Sequence, residues 1–172
     1  MKAYQQGQGD GLCGLYSVMH FLTITPEFGA ENPEDILWYL LDGARHFGWL
    51  NPYTLTQGFE DFQLKSILDL QIDNYRMNYK TYLLAEARKS VKIKSAKSLI
   101  EAVVAKDGSA IVSSKRRNHW LFVTNDHGKA RVIDSANAAS PVGLLEDKPR
   151  SFSPDWGVVV LPHKRTPLDL DL

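Results

Sequence analysis

At 172 residues and 19.4 kDa the chain has length for one domain, or two very small ones, with a core that removes about 70% of the unfolded surface from water. Hydrophobic residues at 44% and charged residues at 23% exclude disordered, collagenous and low-complexity classes. Net charge is zero but segregated: residues 1–75 carry three basic and ten acidic groups, residues 76–117 eleven and three, and the remainder six and seven. A basic run of this kind is more often a solvated face than a nucleic-acid site, so no nucleic-acid partner is expected.

The N-terminus, Met1-Lys2-Ala3-Tyr4-Gln5-Gln6-Gly7, lacks the apolar stretch of a secretory signal, and no apolar run nears the roughly 20 residues that cross a bilayer. A cytoplasmic protein without membrane contact is expected. From Gly11 to Leu22, residues Leu15, Val18, Met19 and Leu22 fall at i, i+3, i+4 and i+7, the stripe of a helix with one buried face, which Thr25-Pro26 ends. Asn32-Pro33-Glu34-Asp35 supplies an N-cap, a first-turn proline and two dipole-favoured acids for a helix to about His46, with Ile36, Leu37, Leu40, Leu41 and Ala44 inward. Thr54 and Gln57 resemble a capping box, and Phe59, Phe62, Leu64, Ile67 and Leu68 predict one helix from there to about Leu70.

Between Ile72 and Lys94 the pattern is mixed: Val91 and Ile93 alternate like a strand, and Tyr82 to Arg88 suits a helical turn. Ser95 caps a helix with Leu99, Ile100, Val103 and Val104 inward, stopped by Asp107-Gly108. The period then changes to two, and strands are expected at Ala110–Ser113, Asn118–Thr124, Lys129–Asp134 and Trp156–Leu161. Helices first and a mainly antiparallel sheet afterwards make an α+β domain over residues 1–162, followed by a loosely held polar tail at 163–172.

Cys13 is the single cysteine, which forbids an internal disulfide and any metal site built from several thiolates. It stands in Gln8-Gly9-Asp10-Gly11-Leu12-Cys13-Gly14, a glycine-rich turn immediately before a helical stripe. At a helix start the unpaired N–H groups and the positive dipole end favour the thiolate, the form that attacks carbonyl carbon; the ordinary alternative is a buried cysteine acting as a small hydrophobe. Gly9, Gly11 and Gly14 also satisfy G-x-G-x-x-G, but no strand precedes them and no βαβ unit follows, so a dinucleotide site is rejected.

A thiolate nucleophile needs a base, and there are five histidines. His20 is about 10 Å along the same helix from Cys13, out of reach. His46 ends a helix, while His127 and His163 sit in a turn and near the tail. His119 begins a strand, and a hairpin turn centred between Asp126 and His127 sets Thr124 against Lys129, Leu121 against Val132 and His119 against Asp134. Opposed residues lie roughly 5 Å apart at Cβ, so the carboxylate can fix the imidazole tautomer. The plainer alternative is a polar cross-strand pair.

With these motifs in place, the chain resembles papain-like cysteine peptidases, closest to the bacteriocin-processing, double-glycine type. The resemblance is carried by a glutamine ahead of Asp10-Gly11-Leu12-Cys13-Gly14, by Asn118-His119-Trp120-Leu121-Phe122-Val123, and by Asp134 in Val132-Ile133-Asp134-Ser135-Ala136. Asp10-Gly11-Leu12-Cys13 is similar to the ovarian-tumour-type deubiquitinase motif as well. The resemblance implies a helical lobe carrying the nucleophile and a sheet lobe carrying the base. It also implies a glutamine that holds the oxyanion, usually six residues before the cysteine, where this chain has Gly7. Gln8 is the preferred candidate and Gln6 the other.

The reading is a cysteine hydrolase of peptide or isopeptide bonds, needing no cofactor: Cys13 attacks, His119 transfers protons, Asp134 orients His119 and Gln8 polarises the oxyanion. Its partner is a protein or peptide substrate that can carry an acidic surface; in the binding-module alternative Lys115-Arg116-Arg117 would contact such a surface, and otherwise the run is a solvated loop. Glutamine deamidation or acyl transfer uses the same constellation, and a non-catalytic binding module on the same scaffold is the alternative from another class.

Overall fold

The computed structural model describes residues 11–28, 31–115, 119–136, 142–145 and 152–163, apart from the Pro154 side chain. Four helices come first, α1 (Cys13–Ile24), α2 (Pro33–His46), α3 (Pro52–Gln57) and α4 (Asp61–Asn74). Then follow β1 (Tyr79–Leu83), α5 (Leu84–Ser90), α6 (Ala96–Val104), β2 (Ser109–Ser114), β3 (Trp120–Asp126), β4 (Lys129–Ile133), β5 (Val142–Leu144) and β6 (Phe152–Pro162). The six strands form one antiparallel sheet in the order β1-β6-β2-β3-β4-β5. This is the α+β arrangement expected from the change of period. None of the described helices is long and apolar enough to cross a membrane.

Strand alternation splits the core into two layers. Ile111, Phe122, Ile133, Val158 and Val160 face α1, α2 and α4, whereas Ala110, Val112, Leu121, Val123, Val132 and Val159 face α5 and α6. Helix α1 lies between β3 and the helices α2 and α4, and nine of its twelve residues are buried. The one-faced stripe expected for it is therefore too narrow: small Gly14 and Ser17 and the ring of His20 close the remaining sides. The Ser17 hydroxyl donates back to the Cys13 carbonyl at 3.0 Å inside the helix.

Helix starts and stops follow local chemistry. Asn32 accepts from the Glu34 N–H at 3.3 Å with Pro33 next in line, and Ser95 caps α6 by accepting from the Ser98 N–H at 3.4 Å. The single helix expected from Thr54 to Leu70 is two helices. Thr54 is the N3 partner of an Asn51 capping box rather than a cap, Gly58 at φ 91° ends α3, and a second box, Glu60 with Gln63, opens α4. Phe62, expected inward, is 49% exposed.

In the ambiguous middle the strand comes earlier than expected. Tyr79–Leu83 pairs with β6, and Val91 and Ile93 fall in the turn after α5, because β6 offers its ladder to the first segment leaving α4. Strand β5, unforeseen, adds to β4 through Val142 against Ile133.

The β3–β4 hairpin is also shifted by two residues. Its turn is His127-Gly128, at φ 52° and 79°, a pair of left-handed residues that matches the strand twist. Asp126 therefore faces Lys129 and Val123 faces Val132. Direct opposition of His119 and Asp134 is thus overturned. A shift of two preserves alternation, however, so the two residues stay on one side as diagonal neighbours, about 7–8 Å apart and within reach of an imidazole and a carboxylate.

Phe122 is fully buried and central, contacting the α1 layer. Phe122→Ala should cost about 3–5 kcal/mol in chemical denaturation, whereas Val91→Ala, at a 54% exposed turn position, should stay within about 0.5 kcal/mol.

Candidate active site

Cys13 is the first residue of α1, and its N-cap, Leu12, offers no side-chain cap. The first-turn N–H groups and positive dipole end of this twelve-residue helix favour an anion there. The cysteine is 6% exposed and its seat is set by Gly14. A Cβ at Gly14 would come within 2.8 and 2.9 Å of the two Leu64 methyls and 3.2 Å of Trp120 Cδ1. Glycine at this position lets the start of α1 lie close against Leu64 of α4 and Trp120 at the start of β3, the residue after His119.

His119 precedes the first residue of β3. Its carbonyl accepts from the Ser114 N–H at 2.7 Å, so its backbone is fixed to the end of β2. Its Nε2–H donates to Asp134 Oδ1 at 2.7 Å, with side chains only 21% and 18% exposed. Cys13 lies close enough to the ring for hydrogen bonding and charge attraction between the two to raise the ring's pKa. Asp134 occupies Nε2, which leaves Nδ1 free of the carboxylate. Asp134 Oδ1 accepts in addition from the Ala136 N–H at 3.1 Å, a local turn that holds the carboxylate at the end of β4.

Opposing forces set the charge of His119. Burial disfavours the imidazolium, but hydrogen bonds to Asp134 and Cys13, together with the attraction of both partners' charges, outweigh it and lift the pKa from 6.5 to about 9. The ring therefore holds its proton through neutral pH. A charged ring between a carboxylate and a sulfur can hold the sulfur as thiolate and later give up a proton, the behaviour required of a general acid–base partner.

Of the residues singled out from sequence, Cys13, His119 and Asp134 come together; Gln8 and Gln6 lie outside the described residues. The rejected histidines are elsewhere. His20 is buried and stacks on Phe122, with ring centroids 6.2 Å apart, while His127 is 99% exposed beside Asp126. Among the described residues no group of three or more His, Cys, Asp or Glu is arranged to hold a metal ion. Sequence reasoning missed two supports. The Gly11 N–H donates to the Leu55 carbonyl at 2.7 Å, and the Trp120 Nε1–H donates to the Phe59 carbonyl at 2.9 Å. A tryptophan next to a candidate base was the available signal, since a buried indole N–H needs an acceptor.

The proton on His119 is readable by NMR. Its ring should titrate near pH 9, and Asp134→Asn should move that midpoint down by about one unit or more, because burial then acts against a weaker partner. A raised folded-state pKa stabilises the fold fully below about 6.5 and loses that contribution as pH rises through about 9, so the denaturation midpoint should fall across that window.

No family model and no curated protein matches the chain. Among solved structures, a double-glycine motif protease from an AMS/PCAT transporter, crystallised with the leader peptide, is similar to it at 17% identity and a TM-score of 0.49, over 93% of this chain and 90% of that one.

Proposed function

We propose that the chain is a papain-like cysteine hydrolase that cleaves a peptide or isopeptide bond, with residues 1–162 as its single catalytic domain. The observation that carries this reading is the position of one half-buried imidazole bonded to a carboxylate at 2.7 Å and close to the only cysteine of the chain, itself at a helix start. A structural cross-strand pair accounts for His119 and Asp134 but not for the cysteine close to the ring.

In the proposed reaction the Cys13 thiolate forms a bond to the substrate carbonyl carbon, and the carbonyl π electrons move to oxygen. The oxyanion is held by the Cys13 backbone N–H, in the first turn of α1, and by the side-chain amide of Gln8. Collapse breaks the C–N bond, the leaving nitrogen takes the proton from His119 Nδ1, and a thioester remains. Water then gives a proton to His119 and attacks the thioester, returning the acid product and the thiolate. Asp134 keeps the ring oriented through both proton transfers. The substrate is a protein or peptide, and Lys115 with its neighbours Arg116 and Arg117 would favour an acidic segment.

Incubating peptide and protein mixtures with wild type and Cys13→Ala and weighing the products tests this reading. Cleavage that needs Cys13 is expected; a Cys13-dependent gain of about 1 Da without cleavage would reassign the same residues to deamidation, and no Cys13-dependent product would contradict the enzyme reading. On a cleaved substrate, Asp134→Asn should lower turnover about 10²-fold or more. Gln8→Ala should cost about 10²-fold in the chemical step while Gln6→Ala does little, and the reverse pattern would transfer the oxyanion role to Gln6.

A further inference from the structure

Two hydrogen bonds on either side of the Cys13–His119 contact end on the same short stretch of chain. The Gly11 N–H, two residues before Cys13, donates to the Leu55 carbonyl at 2.7 Å. The Trp120 Nε1–H, one residue after His119, donates to the Phe59 carbonyl at 2.9 Å in a buried setting. The stretch between those carbonyls is short and pinned. Gly58 closes the last turn of α3 by donating to the Thr54 carbonyl at 3.0 Å, and its φ of 91° redirects the chain into α4.

Both ends of the stretch are anchored independently. Upstream, the Asn51–Thr54 capping box fixes the start of α3, and the Thr54 hydroxyl also donates to the Trp49 carbonyl. Downstream, Phe59 is 3% exposed and the Glu60–Gln63 box fixes α4. Contact with the Cys13 turn is backbone on backbone, since a Cβ at Gly11 would lie 2.8 Å from Leu55 O, Thr54 O and Gly58 N alike.

We infer that the Leu55–Phe59 stretch is a positioning element that sets the separation of Cys13 from His119, holding the cysteine turn through Gly11 and the base through Trp120. The inference rests on reading Cys13 and His119 as nucleophile and base. Packing alone resists compression but tolerates small separations, whereas a bond to each side from one stretch of fixed length resists both. Trp120 is accordingly a positioning residue. Its indole touches the Gly14 seat on one side and reaches the Phe59 carbonyl on the other, so the α1 start, the β3 start and the α3–α4 junction meet at one side chain.

The test is a double-mutant cycle read by NMR titration of His119, with and without Cys13→Ala, in wild type and in Trp120→Phe. In wild type, Cys13→Ala should lower the His119 midpoint by about one pH unit, because a partner of opposite charge is lost. In the Trp120→Phe background, which keeps an aromatic ring but removes the indole N–H, the same change should produce half that shift or less. An equal shift in both backgrounds overturns the inference and leaves the indole bond a structural one. No shift in wild type overturns the catalytic reading itself, and the inference with it. If Trp120→Phe does not fold, Gly11→Ala enters the cycle at the other tether, with the same loss of coupling expected and the same null result decisive against it.

Discussion

The close packing of the α1 start on Leu64 and Trp120, made at Gly14, is the contact around which the arrangement is built. A Cβ there would collide with Leu64, a fully buried residue, and crowd Trp120. Its absence lets the N-terminus of a helix packed on nearly every side settle against the first residues of a central strand. That approach brings the elements carrying Cys13 and His119 together. Cys13 is carried by the helix and His119 by the strand, each with little freedom, so their contact is a property of how two rigid elements pack rather than of two mobile side chains meeting.

The electrostatic balance is equally specific. Burial works against a charged imidazole, and Asp134 and Cys13 together more than offset that cost, raising the His119 pKa to about 9. A histidine paired with Asp134 alone would be an oriented base; one also in contact with Cys13 is part of a coupled pair whose proton can be placed on demand. Asp134 belongs to a turn just beyond β4, anchored by the Ala136 N–H, so the carboxylate is held where the ladder ends.

Much of this was legible in the sequence, for identifiable physical reasons. Caps such as Asn32 and Ser95 and the switch from period 3.6 to period two are local signals, and the helices-then-sheet order follows from them. Cys13 and His119 stood out because their residue types need particular surroundings. Three things were not legible. The break at Gly58 was hidden by apolar residues that continue a helical stripe across it. The hairpin register turned on whether His127 adopts a left-handed conformation, which composition does not dictate, and parity rather than register kept His119 and Asp134 together. Strand β1 and the bonds from Gly11 and Trp120 are long-range, joining segments with no sequence relation.

The central claim is that His119 activates Cys13, and alkylation kinetics at Cys13 test it most directly. The rate of modification by iodoacetamide at pH 6 should be clearly higher in wild type than in folded His119→Ala, because a cationic ring beside the sulfur favours its nucleophilic form. His20→Ala, which removes a ring that stacks on Phe122, should leave the ratio near one once the folded fraction is matched. Equal rates in wild type and His119→Ala, or a Cys13 that reacts only after denaturation, would contradict the account.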